Sequence, residues 1–422
     1  MIKNFIQLNA RYLSNLSTTF ISQAVSALSI LLLTPILLQQ LGTTQYSQYG
    51  VLVNMILFSA IFDLGLNIGL LRKLIHNHPN NLALINTIFF FFVGSLCLLA
   101  PLFWILFSVG FVKVESNFYY LSFFVSIIVI QNFLALFFDN IIQSANKIYV
   151  GRIIRMVRTG IEAIALWWVA HTGSILYLFI TTALINTVYL FFLFAYAKKE
   201  FDFYLSWANC KWSLMVEHIQ YSFWYFQSAL AGAIVFNAQI VLISSIAPPT
   251  QVTHYLLITR FYDVIRTGLA NFVGVMFPSL SKSQANQDWG LIARTYQKVV
   301  LRFVGLAILV ILFSVSIGQY FFKWWSDVKD ADALMAFNCY GILLGLLLIE
   351  NVPNVFLAAL KKNKWPSVVS TIQGLIGLAL TYFFLPIYGI TGAIISLITA
   401  FLFTSGWFNF VFMRQQLKQH LK

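Results

Sequence analysis

The sequence predicts an all-α polytopic membrane protein, with about twelve transmembrane helices in two six-helix halves around a central cavity. Three observations lead there. Of 422 residues, 60% are hydrophobic and only 9% charged, whereas soluble domains average about 45–50% apolar and 25% charged. The mean hydropathy is +0.82, and the apolar residues gather into runs of about 20, the length that crosses a bilayer as a helix. Lys and Arg between the runs alternate from one side to the other, as short loops of a multi-pass protein do.

Taken in order, the first half holds apolar runs near 16–40, 46–70, 82–110, 118–142, 153–172 and 174–197. The second holds runs near 219–247, 252–280, 297–320, 333–360, 365–385 and 388–413. Turn chemistry separates them: Gly42-Thr43-Thr44, His78-Pro79-Asn80-Asn81, Gly173, Pro248-Pro249 and Lys361-Lys362-Asn363-Lys364 each end a run. The halves are therefore 1–200 and 219–422, joined by a polar cytoplasmic connection over 201–218. At an offset of 206 residues, Gln45 and Tyr49 fall on Gln251 and Tyr255, at the start of the second span of each half. Six spans per half give both halves the same orientation, the parallel-repeat arrangement of transporters whose substrate site lies between them.

A cytoplasmic N-terminus places 18 of the 26 basic residues inside and only Lys113, Lys323 and Lys329 outside, so both termini are expected in the cytoplasm. Lys3 and Arg11 precede a first apolar run longer than the core of a signal peptide, which reads as a retained helix. The formal charge of +13 thus sets orientation, and no nucleic-acid partner is expected.

Five basic residues, Arg155, Arg158, Arg260, Arg266 and Arg302, stay inside the spans, as do Asp63, Asp139, Glu162, Asp263 and Glu350. A charge at a helix centre costs about 2.5–3.5 kcal/mol on insertion scales, so such residues face a bundle interior or water and are functional candidates. The eighth span carries Arg260, Asp263 and Arg266 three apart on one face. One acid cannot neutralise two guanidiniums. This face is read either as a structural cluster with acids such as Asp63 or Glu350, or as an anion site, since Arg suits bidentate phosphate and carboxylate recognition.

The fifth span carries Arg152, Arg155, Arg158 and Glu162 in one stripe that begins at the cytoplasmic face. Arg152 and Arg155 can snorkel to the headgroups; Arg158 sits deeper, and its stripe could lead a phosphate headgroup inward from the anionic leaflet. Asp63 lies beside Gly65 and Gly69, which permit close helix contact, and is read as a cap for Arg72 or Arg155 or as a functional acid. Glu350 precedes Pro353, expected to break the tenth span, and a carboxylate beside a broken helix resembles a proton or cation site. Asp139 is placed at the cytoplasmic interface.

Cys97, Cys210 and Cys339 have no metal-type spacing and are assigned to packing, and His76, His78, His171 and His254 line no common site. No phosphate-binding glycine motif is present, so neither metal nor cofactor is expected. Trp167-Trp168 and Trp324-Trp325 read as interfacial belt.

Twelve spans in two halves, a basic cytoplasmic side and cationic helices resemble the polysaccharide flippases of the MATE-like superfamily, the Wzx or O-antigen transporter family. The nearest stretch is Leu41-Gly42, Gln45-Tyr46-Ser47-Gln48-Tyr49-Gly50 and Phe62-Asp63-Leu64-Gly65-Leu66, similar to that family's first loop and second helix. The resemblance implies export of an undecaprenyl-diphosphate-linked oligosaccharide across the bacterial inner membrane by alternating access, with ion coupling. It implies no catalysis. Arg260, Arg266, Arg158 and Arg155 would then contact phosphate, with Asp263, Glu350, Asp63 and Glu162 serving ion coupling or charge pairing. Membrane lipids, the lipid-linked oligosaccharide and polysaccharide polymerase or assembly proteins are the expected partners. The rivals are a cation-coupled multidrug exporter, which would want an acidic cavity, and a membrane polymerase or ligase, which would want a sizeable external loop.

Overall fold

The computed structural model describes residues 2–75, 81–108, 118–145, 147–201, 203–274 and 276–420. All regular structure among them is helical, as expected where lipid offers backbone groups no hydrogen-bond partners. In chain order the α-helices are α1 (Ile2–Phe58), α2 (Leu66–Ile75), α3 (Asn81–Ser108), α4 (Phe118–Ser144), α5 (Ile148–Ala170), α6 (Ile175–Phe201) and α7 (Trp212–Ala233). Then follow α8 (Gln239–Ile246), α9 (Pro249–Gly274), α10 (Phe277–Ala285), α11 (Trp289–Phe313), α12 (Gln319–Ser326), α13 (Ala331–Ala359), α14 (Lys364–Phe403) and α15 (Ser405–His420). His76, His78, Pro79, Lys113 and Lys422 lie outside the described residues, as do the side chains of Lys3, Arg11, Arg72 and Cys97.

Two helices conceal a reversal. α1 turns at Gly42 (φ 71°, ψ 172°) and α14 at Tyr388 and Gly389 (φ 57°, ψ −152°), conformations open to glycine because it lacks a Cβ. Seven helical stretches are long and apolar enough to cross a membrane, and the two over 17–63 and 364–420 each contain one of these reversals. With α3, α5 and α9 the described residues make twelve traverses, at the expected positions to within a few residues except at some ends. The seventh begins at Trp212 and the ninth runs from Trp289 to Ser326. At ~1.5 Å per residue the ninth is roughly 57 Å long against a ~30 Å core, so the helix extends beyond the hydrocarbon layer. Arg302 stands ~36 Å before Ser326 along this helix and is exposed.

The chain divides into two compact units, Met1–Phe226 and Gln227–Lys422, with the division inside α7. In the first, Leu52, Leu66, Leu70, Leu84, Ile88, Phe92 and Phe137 form the core. In the second the core is aromatic: Phe261, Tyr262, Phe322, Phe337 and Tyr340 pack ring on ring, and the Tyr262 hydroxyl donates to the Phe337 carbonyl (3.0 Å). Outward faces are apolar too, with Ile164, Phe191, Leu301 and Leu309 exposed, as lipid contact requires. Trp168, Trp324 and Tyr320 are exposed near helix ends, where amphipathic rings favour the interface.

The second traverse is broken. A 3-10 turn over Ser59–Asp63 ends at Leu64 (φ 52°) and Gly65 (φ 72°) before α2 begins. A Cβ on Gly65 would stand 2.7 Å from the Phe226 nitrogen and 2.8 Å from the Ser222 carbonyl oxygen of α7, and one on Gly69 would meet His218 and Ser222. These glycines thus admit α7, as expected. The His218 ring completes the seam at the Leu66 carbonyl (2.9 Å). Replacing Gly65 by alanine should lower stability by about 3 kcal/mol, from backbone collision plus the left-handed strain. Thermal unfolding in detergent checks this against Gly94→Ala, whose added Cβ meets nothing within 4 Å.

The tenth traverse differs from expectation in the other direction. Pro353 does not break α13, which runs unbroken to Ala359. Proline removes one amide donor, but the helix on either side is tied by Asn354, whose Nδ2 donates to Glu350 one turn back (3.0 Å). In α7 a π-helical turn over Ile234–Ala238 carries the chain into α8, and another over Ser314–Gly318 joins α11 to α12. Neither was legible in the sequence.

Candidate functional site

In the first unit, the polar stripe of α5 meets α4 and α6. Arg155 pairs with Asp139 of α4 (2.8 Å) and also hydrogen-bonds the Tyr189 hydroxyl of α6. Asp139 is buried, and α5 approaches it at Gly151, where no side chain intervenes. Arg158 pairs with Glu162 (3.1 Å), donates through Nε to Asn186 (3.0 Å) and stacks on Tyr189 (5.9 Å). Just before α5, Lys147 pairs with Glu200 (2.6 Å), which raises the Lys147 ammonium above the ordinary lysine value. Arg155 and Arg158 are therefore both neutralised by acids within the unit. Asp63 is not a cap for Arg155; its Oδ1 accepts from the Asn67 side chain (2.6 Å) and backbone (3.3 Å), holding the broken turn.

In the second unit, Arg266 pairs with Asp263 (2.9 Å) and its guanidinium carbon lies over the Phe236 ring, 4.0 Å from the centroid. Phe236 sits in the π-helical turn of Ile234–Ala238, the kind of helix irregularity that recurs at functional sites. It lines a small cleft with Val235, Tyr255, Tyr340, Leu343, Leu347, Gln373 and Leu397. Arg260, half-buried six residues earlier on α9, has no ion-pair partner among the described residues. Among the described residues of this unit, Glu350 pairs with neither arginine. Measured from Pro249, Arg260 is ~16 Å and Arg266 ~26 Å along the 26-residue α9.

Glu350 is buried and held by amides: Asn409 Nδ2 donates at 2.7 Å and Asn354 Nδ2 at 3.0 Å, both to Oε1. Asn409 Nδ2 also reaches Asn354 Oδ1 (2.9 Å), while Asn409 Oδ1 is buried with no partner among the described residues. Counting charges alone misses Asn186, Tyr189, Gln373, Ser405 and Asn409. The signal available was their polarity inside apolar runs. Cys210 and Cys339 are free, and the described residues contain no cluster of His, Cys, Asp or Glu able to hold a metal.

A family model described as polysaccharide biosynthesis protein matches residues 12–284. The chain belongs to this polysaccharide biosynthesis protein family. The matched residues include both arginine groups of this polysaccharide biosynthesis protein, on α5 and α9, but not Glu350. No curated protein matches it in sequence. Its fold is that of solved MATE-like proteins. A multidrug resistance MATE family transporter of the MOP superfamily, inward-facing, superposes with a TM-score of 0.76 at 9% identity, over 94% of this chain and 95% of the other. The lipid II flippase MurJ, in an inward closed conformation, gives 0.72 at 13% identity, over 96% and 87%. A MOP superfamily transporter from Pyrococcus furiosus, described by the reverse polarity of its binding pocket, gives 0.62 at 11% identity, over 99% and 96%. This polysaccharide biosynthesis protein is thus a multi-pass membrane protein of MATE-like architecture.

Proposed function

We propose that the protein is a flippase that carries an undecaprenyl-diphosphate-linked oligosaccharide, an O-antigen or other surface-polysaccharide repeat unit, from the cytoplasmic to the periplasmic leaflet of a bacterial inner membrane. It works by alternating access, makes and breaks no covalent bond, and has both termini in the cytoplasm. The observation that carries this reading is Arg260: a half-buried guanidinium within the membrane with no acid to neutralise it among the described residues, in a chain of the polysaccharide biosynthesis family. An uncompensated intramembrane cation is costly, and a diphosphate is the ligand that offsets it, with bidentate contacts suited to Arg. Arg260 and Arg266 hold the diphosphate, Arg155 and Arg158 brace the first unit through Asp139 and Glu162, and Glu350 serves ion coupling. Polymerase and assembly proteins take the product outside.

The rival reading, a cation-coupled multidrug exporter, draws on the fold shared with multidrug transporters. The surplus positive charge on α9 opposes it, because a site for cationic drugs gains from acids. Deletion of the gene should accumulate lipid-linked glycan in the cytoplasmic leaflet without changing drug sensitivity. Sensitivity to cationic drugs with no glycan accumulation would favour the exporter.

A further inference from the structure

The outward side of α11 changes character along its length. Ile292, Val299, Phe303, Ala307 and Val310 are buried on one side of this helix, and Tyr296 packs on Phe356 of α13 with ring centroids 5.3 Å apart. The opposite side, spaced three and four residues apart, is exposed from end to end. From Gly305 onward it carries Ile308, Leu309, Leu312 and Val315, each more than half exposed, the surface a helix presents to lipid. Before Gly305 the same side carries Arg294, Lys298 and Arg302, all exposed, with Leu301 (74% exposed) set among them.

The change falls where the hydrocarbon layer should end. Trp324, 78% exposed near the far end of this traverse, suits the opposite interface. Arg302 precedes it by 22 residues, ~33 Å of helix against a hydrocarbon core of ~30 Å. Lys298 and Arg294 follow at intervals of about one turn, ~6 Å each. The headgroup layer is roughly 5–8 Å deep on each side, so Arg302 and Lys298 stand among the headgroups and Arg294 at their outer edge.

Among the described residues none of these three cations has an ion-pair partner. Arg294 Nε donates to the Gly290 carbonyl one turn back (3.3 Å). Residues 277–302 hold a single acid, Asp288, and it caps α11 by accepting from the Leu291 amide (3.0 Å). The contrast is with α5, where Lys147, Arg155 and Arg158 each meet a carboxylate. The start of α11 is also held in place: the His420 ring at the end of α15 stacks on Trp289, 3.9 Å between centroids. The stripe is therefore a fixed row of charge left over for something outside the chain.

We propose that Arg294, Lys298 and Arg302 form a docking stripe for anionic phospholipid headgroups in the leaflet where α11 begins. The phosphate answers the charge, since basic residues at a membrane surface draw anionic lipid, and the acyl chains of the same molecule lie along Leu301, Ile308 and Leu309. A soluble acidic segment would cover the cations but not the apolar side that continues them. The stripe is separate from the α9 arginines and stands whether or not those hold a diphosphate.

The test uses the full chain in phosphatidylcholine vesicles, with Cys97, Cys210 and Cys339 replaced by serine and a fluorophore on Gln297→Cys, a position exposed on the same side. The quenchers are phosphatidylglycerol and phosphatidylcholine carrying a nitroxide high on one acyl chain. Phosphatidylglycerol should quench at a membrane fraction about tenfold lower than phosphatidylcholine, and added salt should narrow that gap. Arg294→Gln, Lys298→Gln and Arg302→Gln together should abolish the preference, and Lys298→Gln alone, the milder change for folding, should lose part of it. Lys361→Gln, Lys362→Gln and Lys364→Gln together remove the same charge from the turn before α14 and the start of that helix, and should keep it. Equal quenching by the two lipids in the otherwise unchanged protein overturns the stripe. So does a preference that survives in the stripe variants or vanishes in the Lys361–Lys364 variant, either of which assigns it to general surface charge. Quenching by neither lipid places the stripe in water and overturns the lipid in favour of a soluble partner. Displacement of phosphatidylglycerol by an equal amount of farnesyl diphosphate overturns it in favour of the transported headgroup.

Discussion

Arg260→Ala is expected to cut translocation of a polyprenyl-diphosphate-linked oligosaccharide by tenfold or more in proteoliposomes, while leaving the protein folded and at normal yield. A hydrogen bond to a charged group contributes about 1.5–3 kcal/mol, and each 1.4 kcal/mol is tenfold. Removing a side chain that has no acid partner among the described residues strands no buried charge there, so stability should hold or rise. Arg260→Lys keeps the charge and loses the fork, and should recover only part of the rate. Full activity in Arg260→Ala would remove this residue from the phosphate contact. Arg266→Ala makes a less clean experiment, because it strands Asp263 and uncovers Phe236.

Asp139→Asn should act in the opposite sense, on folding more than on transport. Asp139 is 1% exposed and pairs with Arg155 at 2.8 Å. Removing one partner of a buried pair costs about 3–5 kcal/mol, because the remaining charge is left uncompensated, whereas replacing both by apolar groups of similar volume is often neutral. The single variant should therefore unfold at markedly lower temperature in detergent, and Asp139→Leu combined with Arg155→Met should restore most of the loss. A stable Asp139→Asn protein that no longer transports would show that this pair belongs to the transport site and not to the frame.

The traverses were legible because lipid imposes a length on apolar runs, and that length is written in composition. What composition does not record is the state of a helix between its ends. Pro353 has the chemistry of a break, yet α13 passes through it. Asp63 sits at a true break, which the neighbouring Gly65 permits and no sequence rule separates from a packing notch. The π-helical turn that brings Phe236 under Arg266 leaves no mark in the sequence at all.

The candidate site was half visible for a related reason. Charges inside apolar runs announce themselves by their cost, and Arg158, Arg260, Arg266 and Glu350 were found that way. Their partners decide what they do, and partners are a matter of helix rotation. Arg155 and Arg158 found Asp139 and Glu162, whereas Arg260 found none among the described residues. The neutral residues that surround Glu350, Asn354, Ser405 and Asn409, are spread over α13 and α15 and have no spacing that links them.

The most direct measurement compares two fluorescent polyprenyl-linked disaccharides in proteoliposomes, one joined through diphosphate and one through a neutral linker, with quencher access reporting the leaflet. The wild type should move the diphosphate form at least tenfold faster than the neutral form. Arg260→Ala should abolish that preference. Equal movement of both lipids, or movement of neither alongside transport of a cationic dye, would contradict a diphosphate-recognising flippase.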